Sequence, residues 1–356
     1  AMAAYFDLSD NGFSGSLPTQ LAGLSALTSY FGLYENSFTG SLPSQLAGLS
    51  ALNSYFALYE NSFTGTIPTE LGGMTALENG FFLFSNLLTG GVPSQIGRLT
   101  KMKFGFYLQE NALSKTLPTQ LGQLTGLSQF LIQSNSVTGS LPTQIGRMGR
   151  MGRMEQLILD DNSLDSALPS SLCNLTDLVI FSASNNRLSG RLLSCMVFPD
   201  MEVFNVASNN FHGPLPSVLG WAQLSYLLLH ENNFHGSLQA LQLNGSTLSS
   251  GTNPDPFEDD EQRYFGGNLL GLTLHDNELD EKLPEDLALP GTLEIFTINN
   301  NDIPGTVHQG LLANLNGSAN LTLVLSNNRL SCDLSSAWDF SLSPNSVILI
   351  GNQFSK

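Results

Sequence analysis

One asparagine recurs along the whole chain behind an apolar-x-apolar-x-x segment, at Asn11, Asn36, Asn61, Asn86, Asn111, Asn135, Asn162, Asn186, Asn209, Asn232, Asn277, Asn301, Asn328 and Asn352. The usual step is 23 to 27 residues. A unit that short cannot bury its own apolar face, so successive units must stack and share one continuous core. The limit on the size of a single globular core, which would ordinarily split 356 residues into domains, does not apply to such an array. We therefore expect one domain over residues 1–356, built of about 14 coils, each numbered here by its asparagine. The apolar pairs before the asparagine, such as Phe6/Leu8, Phe31/Leu33, Phe56/Leu58 and Leu157/Leu159, are expected to point inward from a short strand. The asparagine amide then bonds backbone groups released where the chain turns out of that strand.

A second signature follows the asparagine: Phe-Ser-Gly-Ser-Leu-Pro at 13–18, Phe-Thr-Gly-Thr-Ile-Pro at 63–68 and Val-Thr-Gly-Ser-Leu-Pro at 137–142. This pattern resembles the plant-type leucine-rich repeat of receptor-kinase ectodomains, receptor-like proteins and polygalacturonase-inhibiting proteins, and it covers essentially the whole chain. The resemblance implies an α/β repeat: a right-handed superhelical solenoid with short parallel strands on its concave face, an extra short strand near the Gly-x-Leu-Pro segment, and loops and 3-10 turns on the convex side. It also implies the secretory pathway and ligand capture on the concave or lateral face. Residues 14–36 and 39–61 differ at four of 23 positions, and such near-identical repeats resemble algal or protist arrays. Four successive steps of 25 residues carry one residue more before the strand, which predicts a bulge there. Paired-cysteine caps are not evident at either end.

Composition narrows the class of partner. The net charge is −17, and residues 1–97 hold no Lys or Arg, so nucleic acid is a poor candidate. No apolar run approaches the roughly 20 residues of a membrane span, although an anchor elsewhere stays open. The chain starts inside a repeat without a signal-peptide profile, which suggests a processed N-terminus. Cys173 and Cys195 lie close to one repeat apart and are expected to be bonded, leaving Cys332 odd. Sequons stand at Asn174, Asn244, Asn316 and Asn320. An extracellular or cell-surface location accounts for these features together.

Two interruptions stand out. The triplet repeat ending at Met154 brings Arg147, Arg150 and Arg153 together, a duplication in a tolerant loop or a patch for an acidic partner. Between Asn232 and Asn277 the step is 45 residues, which places an inserted acidic loop at about 244–268. The spacing of its acids is not that of a calcium loop.

Residues two, four and six before each asparagine are expected to face outward. They form an aromatic stripe over coils two to five: Tyr30, Tyr34, Tyr55, Tyr59, Phe82, Phe84 and Tyr107, flanked by Glu35, Glu60 and Glu110. Exposed aromatic patches of this kind mark interfaces, and rings beside carboxylates suit a protein, a basic peptide or a sugar. Duplication also copies a tyrosine whether or not it is used. His230 and His275 share a column on sequential coils, close enough to touch one metal ion, but no third ligand is evident. His212 and His235, also one coil apart, are weaker candidates.

No nucleophile motif, phosphate loop or enclosed acid pair emerges, so we expect a non-catalytic recognition module without a cofactor, binding a protein, peptide or glycan. The alternative is a structural subunit held in a larger assembly, favoured by the outward apolar residues Leu131, Ile158, Leu228, Val324 and Ile348. Ice binding by regular Asn and Thr/Ser rows is a minor third reading.

Overall fold

The computed structural model describes residues 4–151, 154–218, 220–241, 269–285, 287, 289, 290, 292–307, 311, 321–331 and 346–353. The expected acidic loop at 244–268, the sequons at Asn244, Asn316 and Asn320, Arg153 and Cys332 lie outside the described residues. Contacts gather into two units, Ala1–Leu188 and Ser189–Lys356.

In the first unit eight three-residue strands run parallel in sequence order: Tyr5–Asp7, Tyr30–Gly32, Tyr55–Ala57, Gly80–Phe82, Gly105–Tyr107, Gln129–Leu131, Gln156–Ile158 and Ile180–Ser182. Their register is the repeat itself, with Phe31 opposite Phe56 and Phe56 opposite Phe81. The expected inward pairs are buried: Phe31, Leu33, Phe56, Leu58, Leu157 and Leu159 are each 0% exposed. The inner rings stack from coil to coil, Phe31 on Phe56 at 5.7 Å and Phe106 on Phe130 at 5.7 Å. Phe6, in the first coil, is only partly covered.

The asparagine ladder is the clamp between coils. Asn61 Nδ2 donates to Leu33 O of the preceding coil at 2.9 Å, and to Leu58 O and Tyr59 O of its own coil. Its Oδ1 accepts from Phe38 N of the preceding coil at 3.0 Å. One side chain thus satisfies four backbone groups that a parallel strand leaves unpaired where it ends. The residue before the asparagine takes a left-handed backbone, at φ of 50° to 55° for Asp10, Glu35, Glu60, Ser85, Glu110, Ser134 and Asp161. These residues are all polar, as a side chain at φ > 0 ordinarily is.

Beyond each asparagine from Asn11 to Asn232 runs a second strand, for example Ser37–Ser41 and Ser62–Thr66, which is the extra strand expected near Gly-x-Leu-Pro. A proline then opens a five-residue 3-10 turn, as Pro68 does before Thr69–Gly73. Proline's fixed φ suits that place. The described residues contain no α-helix. In coils three to five the packed turns leave no room for a side chain: a Cβ on Gly97 would overlap the carbonyl oxygen of Gln120 in the next coil, and Gly72 and Gly122 stand in the same relation to Gln95 and Gln144. The extra residue of the 25-residue coils lies just before the strand. Asn53 N and Tyr55 N bond Thr28 O and Ser29 O, and Ser54 N is passed over. That is the bulge the step length predicts.

The second unit repeats the scheme with strands Val203–Asn205, Tyr226–Leu228, Gly271–Thr273, Ile295–Thr297, Thr322–Val324 and Ser346–Ile348. Tyr226 pairs with Gly271 in register, so the 45-residue step leaves the ladder unbroken. Asn277 still donates to Leu229 O at 3.1 Å. Cys173 and Cys195 are both disulfide-bonded.

Candidate functional site

The outward face of coils two to five carries two rows of rings. Tyr34, Tyr59 and Phe84, two before their asparagines, stack face to face, with centroids 4.3 Å apart at each step and planes within 13°. The second row shifts column. Tyr30 and Tyr55 stand six before the asparagine, whereas Phe82 and Tyr107 stand four before it, and the crossover is a Tyr55–Phe82 contact of 5.9 Å. Phe82 then stacks on Tyr107 at 4.6 Å.

Small residues make the shift possible. In coils two to five, where one of these two columns holds a ring the other holds Gly or Ala: Tyr30 with Gly32, Tyr55 with Ala57, Gly80 with Phe82, Gly105 with Tyr107. A Cβ on Gly105 would lie 2.7 Å from the Tyr107 ring, and one on Gly32 or Gly80 would overlap the ring of Tyr30 or Phe82. The rings therefore lie down over bare backbone. All seven are half-buried. Outward aromatics therefore gain something from folding, because mutual stacking contributes roughly 0.5–1.5 kcal/mol per pair. They still keep an open face.

Electrostatics keep the row neutral. Burial pushes the phenols of Tyr30 and Tyr59 well above their ordinary range, helped by the Tyr34 hydroxyl and by Asp7 for Tyr30 and Glu35 for Tyr59. Burial also raises Tyr107, whose hydroxyl donates to Gln129 Oε1. The glutamates emerge from the left-handed position beside the rings, so Glu35, Glu60 and Glu110 are exposed along one margin. Ser85 Oγ donates to Glu110 Oε2 at 2.7 Å, while Glu78 is matched by Lys103 at 2.7 Å. Below Phe84 the row continues as Gln109 and Gln133, whose Oε1 atoms are buried without a hydrogen-bond partner.

In the second unit His230 and His275 stack at 4.4 Å with planes 13° apart. Each Nδ1 lies 2.7 Å from a threonine hydroxyl of the following coil, Thr273 and Thr297 respectively. Burial lowers both imidazole pKa values. Glu231 and Asp276 lie beside His275, one ligand atom from each of the three within 4.8 Å of the others, and His230 is not among them. His212 and His235 are exposed and out of step, His212 facing Asn233 and His235 facing Pro214.

The Leucine Rich Repeat family profile matches residues 4–24. No curated protein sequence matches the chain. Among solved structures, the ectodomain of the Arabidopsis thaliana receptor kinase GASSHO1/SCHENGEN3, in complex with CASPARIAN STRIP INTEGRITY FACTOR 2, superposes with a TM-score of 0.75 at 28% identity over 98% of this chain and 41% of that one. The Arabidopsis receptor kinase HAESA, in complex with the peptide hormone IDA and the co-receptor SERK1, gives 0.72 at 26% over 99% of this chain and 58% of that one. A TDR receptor gives 0.66 at 28% over 99% and 64%. Its fold is that of a plant-type leucine-rich-repeat ectodomain.

The leucine-rich-repeat chain spans less than two thirds of the length of those receptors. No helix among its described residues is long and apolar enough to cross a membrane. Asn174, at the end of the 3-10 turn Ser170–Asn174, is exposed, as a glycosylated asparagine must be. Arg147 and Arg150 line an open groove beside Cys173 and Asn174. The outward aliphatics behind the scaffold alternative are present too, with Leu131 and Ile158 half-buried and Ile348 40% exposed.

Proposed function

We propose that this leucine-rich-repeat protein is an extracellular recognition module that binds an extended peptide segment carrying Lys or Arg along the outward face of coils two to five. The observation that carries the reading is the pair of stacked aromatic rows with carboxylates on one margin. A flat, pre-stacked aromatic face loses little conformational freedom on binding, which is where anchor residues draw their advantage. The margin of Glu35 and Glu60, in a stretch without a single Lys or Arg before Arg98, selects a cationic partner, and Glu110 extends it. The peptide hormones bound by receptors of similar fold are consistent with an extended ligand. Tyr30, Tyr34, Tyr55, Tyr59, Phe82, Phe84 and Tyr107 supply the contact area, and Glu35 and Glu60 the charge.

The experiment is selection from a display library of random peptides on the whole protein, with counter-selection on Tyr59→Ala. Selected peptides are expected to be rich in Lys or Arg and to lose at least tenfold in affinity on Tyr59→Ala. Peptides that bind both proteins equally, or selection only of a glycan from a parallel array, would overturn the reading.

A further inference from the structure

The second unit holds a side-chain cluster of a different chemistry. Glu231 and Asp276 occupy the left-handed position before their asparagines, at φ of 54° and 55°. That turn swings each carboxylate back toward the histidine column. One ligand atom from each of Glu231, His275 and Asp276 lies within 4.8 Å of the others. Asp276 Oδ2 is 4.0 Å from His275 Nε2.

Each of the three is held by a group from a neighbouring coil. His275 Nδ1 is 2.7 Å from Thr297 Oγ1. Ser208 Oγ donates to Glu231 Oε2 at 2.6 Å, and Asn300 Nδ2 donates to Asp276 Oδ1 at 2.7 Å. The His230 ring, fixed in turn by Thr273, stacks on His275 and limits its rotation. With its hydrogen on Nδ1 and donated to Thr297, the imidazole of His275 presents the Nε2 lone pair toward the two carboxylates. Metal-ligating residues are ordinarily oriented by outer hydrogen bonds of this kind.

We infer that Glu231, His275 Nε2 and Asp276 form a binding site for a zinc-type divalent ion, with Ser208, Thr297 and Asn300 positioning the ligands. One nitrogen and two carboxylate oxygens suit zinc, whose bonds to such atoms are about 2.0–2.2 Å. Closing on the ion requires side-chain shifts of about an ångström, which the exposed Glu231 permits. The imidazole disfavours calcium and magnesium, which take oxygen ligands. Two carboxylates offset the charge of the ion. Three protein ligands leave a fourth position open at the surface, where a partner's own carboxylate or imidazole fits.

The test is calorimetric titration of the whole protein, freed of metal by chelation, with zinc chloride, together with cobalt(II) absorption as a report of coordination. The expected result is one zinc per chain, tetrahedral cobalt bands, and no displacement by millimolar calcium. His275→Ala and Asp276→Asn are expected to weaken zinc at least tenfold with unchanged melting temperature. Thr297→Val is expected to weaken it about tenfold and Thr297→Ser to restore it, the size typical of outer-sphere partners. Absence of zinc binding, equal binding by His275→Ala, or equal competition by calcium, which marks an acidic surface only, would each overturn the site.

Discussion

Two columns of aromatic rings run through the first unit, one on each side of the same sheet. The inner column, Phe31, Phe56, Phe81 and Phe106, and the outer row, Tyr34, Tyr59 and Phe84, both run ring on ring from coil to coil, and the outer one is the tighter and more parallel at 4.3 Å against 5.3–5.7 Å with planes tilted by up to 56°. What differs is the other face of each ring. Inner rings are fully enclosed, whereas outer rings are only half-buried. Stacking alone does not distinguish a core from a surface. The difference lies in how much apolar area leaves water on folding, so one motif copied by duplication yields a buried column and an open row.

Truncation separates the two most sharply. Phe56→Ala is expected to cost about 3–5 kcal/mol in stability, because a fully buried ring leaves a cavity that neighbouring coils cannot fill. Denaturant unfolding measures it. Next in size is Gly97→Ala in the 3-10 stack, at about 2–3 kcal/mol, since its Cβ would meet backbone that has no rotamer to yield. Gly80→Ala is expected to cost about 1 kcal/mol, because the obstacle is the Phe82 ring and that ring is free to swing outward. If Gly80→Ala proved as damaging as Gly97→Ala, the outer row would be a second core.

The inner column and the ladder were legible in the sequence because both follow from local periodicity: an apolar pair at fixed distance from an asparagine admits one orientation. The outward placement of Tyr34, Tyr59 and Tyr107 follows from the same alternation. Harder to read was the ring's posture. The exchange of Tyr30/Gly32 for Gly80/Phe82 is visible as two complementary columns, yet its meaning, a ring lying over a bare backbone, emerges only once neighbouring coils are in register. Glu231 and Asp276 were missed as partners of His275 for another reason. Their direction is set by a left-handed backbone, and Glu, Asp, Ser and Asn share that position without one local signal.

For the outer row the decisive measurement is binding. Tyr59→Ala is expected to lower the affinity of a selected cationic peptide by about thirtyfold, which corresponds to roughly 2 kcal/mol, while stability falls by about 1–3 kcal/mol with the loss of two stacked pairs. Glu35→Gln, at the exposed margin, is expected to cost about 1 kcal/mol of affinity or less, fading as salt is raised. A thirtyfold loss on Glu35→Gln with no effect of Tyr59→Ala would reverse the roles assigned to rings and rim.

The smallest effect concerns alkali and bears on the outer row alone, since the inner rings are phenylalanines and do not ionise. The Tyr59 phenol is raised by burial, by Tyr34 and by Glu35 and Glu60. A group whose folded-state pKa lies above its unfolded value contributes stability that is fully present below the unfolded pKa, about 10 for tyrosine, and is lost as pH rises through the folded value. Melting temperature is therefore expected to hold level from pH 7 to about 9 and to fall above pH 10. Tyr59→Phe keeps the stack and removes the ionising hydroxyl, so it should flatten part of that fall. Absorbance near 295 nm follows the phenolate directly, and Tyr59 should be missing from the groups that titrate near pH 10. Ordinary titration of Tyr59, with Tyr59→Phe tracing the wild-type curve, would show the rings standing free in water instead of lying stacked on the sheet.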